Sequence, residues 1–273
     1  MSNGIEGVGI GLRPCHFEAI LSQNHDDIWF EILADNFLIP GGLNKKLLLE
    51  VCDRYPVVLH SVGLSLGGVH PLDWNYIDAI KGLKDATGSI WYSEHLSFSG
   101  DMTYRVPDLL PLPYTEEAVQ HVVRRIEQVQ ERLSERILIE NVSSYLQFPN
   151  NEMTEVEFVS EVATRADCDI LLDINNIFVS SSNHRQDVSD CFDIIPADRV
   201  KQIHLAGYEA KEGYLLDSHN HPVTEPVWDL FKHYIDKVGS KPTLIEWDSN
   251  MPSFQRLLSE QTIAQTLLDE RSG

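Results

Sequence analysis

Short apolar runs rich in Val, Ile and Leu recur along the chain, separated by longer stretches whose apolar residues return every three or four positions. The runs predict strands over 7–12, 28–33, 57–61, 89–95, 136–140, 169–173, 200–205 and 242–246. Near-continuous apolar runs that alternate with helices suit parallel strands covered on both faces. Eight such units close a (β/α)8 TIM barrel, and 273 residues fit the roughly 250 that one barrel needs. The expected architecture is an α/β fold, one TIM-barrel domain spanning 1–273, without linker, repeat or low-complexity tract.

The helices show best in the second half. Val119, Val122, Ile126, Val129 and Leu133 mark one apolar face from Thr115 onward, with Glu116 and Glu117 in the first turn, where the helix dipole favours negative charge. Thr154-Glu-Val-Glu157 has capping-box spacing and opens a helix to about Arg165. Another helix is expected over 226–238, ended by Gly239 as a left-handed terminator. Two longer segments follow strands, 97–114 (with Gly100, Pro107, Pro111 and Pro113) and 207–223. Both are expected to be irregular and to lie over the C-terminal face, where long loops serve the active site.

What ends the strands is the chemical signal. Strand three ends in His60, strand four in Glu94-His95, strand five in Glu140-Asn141, strand six in Asp173-Ile-Asn175-Asn176, strand seven in His204 and strand eight in Glu246-Trp-Asp248. Side chains at that end of barrel strands converge on the mouth. Singly, each has a plain structural use: Asp173 can cap the helix of its unit, and His204 can donate to a backbone carbonyl. Six on six consecutive strands call for another explanation. Clustered carboxylates raise one another's pKa unless cations intervene, and His with carboxylate suits Fe, Mn, Co or Zn. A second group lies on loops: His184 after strand six, and Asp217-Ser-His219-Asn-His221 after strand seven, where His219 is the better candidate because His221 precedes Pro222.

Composition narrows the partners. The net charge of −21 repels phosphate backbones and anionic lipid, which argues against nucleic acid and membrane surfaces and leaves a neutral or cationic substrate or a basic protein partner. Cys15, Cys52, Cys168 and Cys191 are widely spaced with no Cys-x-x-Cys pair, so neither a zinc ribbon nor a disulfide framework is expected. No apolar run approaches the ~18 residues of a membrane span, and the first residues do not read as a signal peptide. A cytoplasmic protein is expected.

The segments His60-Ser-Val-Gly-Leu-Ser-Leu-Gly67, Ser93-Glu-His-Leu-Ser97, Leu109-Leu-Pro-Leu-Pro-Tyr114, Ile139-Glu-Asn141, Leu172-Asp-Ile-Asn-Asn176, Ile203-His-Leu-Ala-Gly207 and Leu244-Ile-Glu246 together resemble the multinuclear non-haem iron-dependent oxidative enzymes, which include those of methanobactin and 3-thiaglutamate biosynthesis. The likeness runs in order from Gly7 to about Leu258. It implies a xylose-isomerase-like barrel holding two or three irons. His60, His95 and Glu140 would hold one; Glu140, bridging, would hold a second with Asp173, His204 and Glu246. Asn176 (or Asn175), His184, Asp217 and His219 match the region of a third, with Asp248 behind the ligands. His95, Glu140 and Asp173 would be central to catalysis. The resemblance also implies dioxygen as co-substrate, cysteine residues of a ribosomally made precursor peptide as target, and a partner protein that grips the peptide's leader. Arg13 and Arg105, on strand-end loops, are either surface residues or orient the peptide. The same ligands would also serve a Zn- or Mn-dependent isomerase or hydrolase, or a non-catalytic metal-binding scaffold, because neither fold nor ligand set fixes a reaction.

Overall fold

The computed structural model describes residues 5–100, 105–188 and 191–272. Eight parallel strands form a closed barrel: β1 (Val8–Leu12), β2 (Phe30–Leu33), β3 (Val57–Ser61), β4 (Tyr92–His95), β5 (Leu138–Glu140), β6 (Asp169–Asp173), β7 (Val200–Leu205) and β8 (Thr243–Ile245). Each pairs with its neighbours in sequence, and β8 closes on β1. All eight expected strands are present, several trimmed at their N-terminal ends. A helix follows each strand: α1 (Phe17–Ser22), α2 (Leu43–Cys52), α3 (Trp74–Thr87), α4 (Glu116–Leu133), α5 (Glu155–Arg165), α6 (Ile174–His184), α7 (Glu225–Val238) and α8 (Phe254–Ser272), with a further short helical turn, Cys191–Ile194, between α6 and β7. The fold is the expected TIM barrel.

The local signals work as their chemistry dictates. Thr115 caps α4 by accepting from the Ala118 N–H, and the Val119, Val122, Ile126, Val129 and Leu133 face is buried. Thr154 and Glu157 close a reciprocal capping box on α5. Gly239 does end α7, but with φ 85° and ψ 173° it turns the chain into extended backbone and is not a left-handed helical cap. Arg125 on α4 is buried with no carboxylate partner among the described residues. It donates to the carbonyls of Ser65, Leu66 and His70, and so pins the loop that leaves β3.

The barrel interior is layered. Most of the apolar core lies between strands and helices, but Trp29, Val58 and Leu244 form a separate cluster with Ile5, against which Trp91 packs. Two residues further along their strands, on the same face, come Glu31, His60, Ser93 and Glu246. Apolar side chains therefore plug the N-terminal end, and polar ones take over toward the C-terminal end. Register keeps the polar layer level: His60 pairs with Ser93, His95 with Glu140, and Asp173 with His204.

Two expectations about loops are corrected. The 97–114 segment contains a hairpin, Phe98–Gly100 against Arg105–Leu110, although Pro107 lies inside it. A two-stranded ribbon consists only of edges, and an edge tolerates a residue without an N–H. The 207–223 segment likewise contains a hairpin, Glu209–Lys211 against Tyr214–Leu216, turning at Gly213 with φ 89°. The side chain of Arg105 lies outside the described residues.

Candidate metal centre

Glu140 stands at the middle of the mouth. One carboxylate oxygen, Oε2, lies 3.3 Å from His60 Nε2 and 3.1 Å from His95 Nε2; the other, Oε1, lies 3.3 Å from His204 Nδ1. All four side chains are buried. Each imidazole is aimed by a partner on its far nitrogen. His60 Nδ1 sits 2.8 Å from Ser93 Oγ, His95 Nδ1 is 3.1 Å from the Ser61 carbonyl, and His204 Nε2 is 3.0 Å from Glu31 Oε2. Such second partners fix the tautomer and heading of metal-binding histidines. Glu94 braces the same end of β3 and β4, accepting from Ser61 Oγ and from the N–H groups of Leu64 and His95.

The remaining strand-end acids complete the ring. Asp173 caps α6 through Oδ1, which accepts from Asn176 N–H, while Oδ2 is left over. Capping and ligation are therefore compatible in one carboxylate. Asn141 bridges β5 and β6, donating to the Asp173 carbonyl and accepting from the Asp173 N–H. Glu246 Oε2 lies 3.0 Å from His204 Nδ1 and 3.1 Å from His219 Nδ1. Ligand-type atoms of His60, His95 and Glu140 fall within 4.8 Å of one another, as do those of Glu140, Asp173, His204 and Glu246, and those of His219, Glu246 and Asp248.

Electrostatics shows what this arrangement lacks. Burial, aided by the neighbouring His95 and His204, holds the His60 imidazole well below its usual pKa. Burial likewise raises the Glu140 and Asp173 carboxyls. For His95, burial opposes the charged form, but Glu140 and Glu94 outweigh it and lift the group to about 10. Burial also opposes charge on His204 and His219, and again nearby carboxylates outweigh it: Glu31 and Glu246 for the first, Asp217 and Glu246 for the second. Glu246 goes the other way, held well below the usual range by His204 and His219 against the effect of burial. Beside the Arg13 guanidinium at the edge, the charges that balance these carboxylates among the described residues are protons on the imidazoles, so the ionisations depend on one another. Among the described residues, His60 Nε2, Glu140 Oε2, Asp173 Oδ2, Asn175 Oδ1, Asn176 Oδ1 and His219 Nε2 are buried with no hydrogen-bond partner. Buried polar atoms are rarely left that way, and six around one mouth form a donor set that divalent cations fit.

The cluster opens to solvent through a cleft of about 440 Å³, whose lining includes Val62, Leu109, Val142, Tyr145 and Arg13.

Comparison with known proteins assigns the chain. The family described as RiPP precursor modification enzyme MbnB/TglH/ChrH matches residues 7–269. The chain belongs to this family. Its members are enzymes that modify the precursors of ribosomally synthesised, post-translationally modified peptides, so a precursor peptide is the class of substrate. Similar curated relatives are UPF0276 proteins. That of Acaryochloris marina is 45% identical over 97% of this chain and 95% of its own length. That of Acinetobacter baylyi is 43% identical over 98% and 92%. Among solved structures, endonuclease IV of Thermus thermophilus has a TM-score of 0.63 at 14% identity, covering 97% of this chain and 99% of its own. D-psicose 3-epimerase of Clostridium cellulolyticum has 0.62 at 11%, covering 97% and 98%. At such identities the likeness is one of fold. Among the described residues, no helix is long and apolar enough to cross a membrane.

In this family member the structure brings His60, His95, Glu140, Asp173, His204 and Glu246 together as expected, and draws Asp217 and His219 to their outer side. His219 Nε2 is 2.6 Å from Asp217 Oδ1 and 3.9 Å from Asp173 Oδ2. Asn175 donates to Asp217 and turns its free Oδ1 inward, whereas Asn176 donates to the Asn141 carbonyl. His184, in the last turn of α6, falls in none of these ligand groups among the described residues; its Nε2 meets Ser144 Oγ at 2.7 Å. Glu31 is an addition: it is an acid inside an apolar strand at a lumen-facing position, a signal the sequence carries, since a charge there needs a partner. Glu94, already visible at the end of strand four, alternates to the other side of the strand and serves as the brace described above.

Proposed function

We propose that the chain is a multinuclear non-haem iron enzyme that uses dioxygen to modify cysteine residues of a ribosomally made precursor peptide, with a partner protein holding the leader. The observation that carries this reading is the set of unpartnered donor atoms around Glu140 in a member of a peptide-modifying family. His60, His95 and Glu140 would hold one iron, and Glu140, Asp173, His204 and Glu246 a second. Asp217, His219 and Asn175 or Asn176, which meet around Asp217, would hold a third; His184, engaged with Ser144, is left out of this proposal. Iron there would supply the redox couple that dioxygen chemistry requires and a coordination position for thiol sulfur.

The chain's own groups do the rest. Glu140 offers one oxygen to the His60–His95 side and the other to the His204 side, which supports a bridging role. Ser93, the Ser61 carbonyl and Glu31 hold three imidazoles in heading before any ligand arrives, so little reorganisation opposes the reaction. The cleft admits an extended peptide side chain, and Val62, Leu109, Val142 and Tyr145 limit water around it. The net charge of −21 favours a basic leader or partner surface.

The test is co-expression with a Cys-containing peptide and the partner encoded nearby, followed by mass spectrometry of the peptide and elemental analysis of the enzyme. Two or three irons per chain are expected, with a mass change confined to Cys and lost in His95→Ala or Asp173→Ala. An unmodified peptide beside an iron-loaded, reduced and aerated enzyme would refute the reaction. One zinc with no iron uptake would refute the metal.

A further inference from the structure

The outer histidine differs from the inner three in how it is held. His219 follows the same rule of one aimed and one anchored nitrogen. Its Nε2 belongs to a buried ring and faces two carboxylates, Asp217 Oδ1 at 2.6 Å and Asp173 Oδ2 at 3.9 Å. Its Nδ1 lies 3.2 Å from Asp248 Oδ2 and 3.1 Å from Glu246 Oε2. Asp248 is in turn gripped by Arg13, whose Nη2 donates to Oδ1 at 2.6 Å while Nη1 donates to the Leu12 carbonyl. The backbone repeats the link, since the Asp248 N–H donates to the His219 carbonyl at 2.7 Å. His219 also sits at φ 42°, a left-handed backbone that a non-glycine residue keeps only when its surroundings impose it.

Asp248 thus stands to His219 as Glu31 stands to His204, with one addition: Asp248 is at the rim, half open to solvent, and needs Arg13 to keep it in place. We propose that Arg13 and Asp248 form a relay from β1 to the site, fixing the tautomer and heading of His219 and so setting the affinity of the outermost metal ion, without either residue touching that ion. Both are positioning residues. This rests on the multi-metal reading above. The rival use of the same atoms makes Asp248 a direct ligand, grouped with His219 and Glu246, for which Arg13 would compete as a fixed cation. The two uses predict opposite effects at Arg13.

The experiment is an anaerobic titration of the metal-free full chain with Co²⁺ against a competing chelator, following the visible d–d bands. In Asp248→Asn the last-bound equivalent is expected to weaken tenfold or more, the range seen when the outer partner of a ligand is lost. Arg13→Gln is expected to weaken it several-fold, and Arg13→Lys to recover part of the loss. Affinities and bands of the earlier equivalents are expected to stay as in the wild type, which also shows that the variants fold. An unchanged last equivalent in Asp248→Asn overturns the relay. A tighter last equivalent in Arg13→Gln overturns it in favour of Asp248 as a ligand. A wild type that stops at the inner ions overturns the relay but leaves the inner sets standing, and one that takes up no Co²⁺ overturns both.

Discussion

A groove of about 720 Å³ crosses the N-terminal end of the barrel between Gly7, Trp29, Tyr55 and α8, while the cleft at the C-terminal end measures about 440 Å³. Both are lined by acids. At the N-terminal end Glu6, Asp26, Asp27 and Asp269 are exposed, and water solvates them at little cost; among the described residues lining it, the unpartnered buried atom is His25 Nε2, on a half-buried ring packed against Phe254. At the C-terminal end Glu140, Asp173 and Glu246 are buried beside four imidazoles, and Glu140 Oε2 and Asp173 Oδ2 are left without a hydrogen bond among the described residues. The larger groove is thus the chemically quieter one. Space and charge do not mark a site; desolvated polar atoms without partners do, because removing them from water carries a penalty that something must offset.

That contrast can be broken at several points. Glu140→Gln is expected to have the largest effect, a loss of more than one iron equivalent by elemental analysis, since two sets of donors share it; loss of a single equivalent would contradict the bridge. Stripping metal with a chelator comes next. At a thousandfold excess over Kd, bound metal is worth about 4 kcal/mol, so the metal-free protein is expected to melt several degrees lower in calorimetry. An unchanged melting temperature would mean that protons satisfy the cluster as well as cations do. Gly207→Ala is expected to act through the backbone. A Cβ there would meet the His221 and Pro222 carbonyls at 2.2 and 2.3 Å, so the segment bearing Asp217 and His219 must shift. The expected cost is roughly 1–3 kcal/mol, with weakened outer-ion binding and intact inner binding. Smallest of all, Asp26→Asn and Asp269→Asn at the opposite end are expected to leave metal content and melting temperature unchanged within error; a lost equivalent there would undo the comparison.

Much of this was legible in the sequence because each strand is an apolar run with a chemical ending. His60, His95, Glu140, Asp173, His204 and Glu246 needed only the rule that barrel strands converge at one end. The hairpins were not legible. Pro107 and Gly213 read as breakers, and whether a breaker interrupts a strand or sits on its free edge is decided by neighbours that local sequence does not name. The outer histidines show a second limit. His184 and His219 both follow barrel strands, but helical phase turns the first toward Ser144, while the backbone of the second is held so that its ring faces Asp217. Which nitrogen faces inward depends on a residue 29 positions away, Asp248, and spacing alone cannot supply that.

The level register of the mouth bears on how such a protein can change over evolutionary time. His95 pairs with Glu140, and Asp173 with His204, on strands whose side chains alternate between the lumen and the helices. Inserting or deleting one residue within β5 would exchange Glu140 for a neighbour and turn it toward the apolar layer, injuring the centre and the packing in one step. Lineages can therefore lengthen or recolour the hairpins beyond the strands, altering which peptide is greeted at the entrance. A shift within the strands would injure centre and packing together, so changes that reshape the entrance and changes that reshape the chemistry fall on separate parts of the chain.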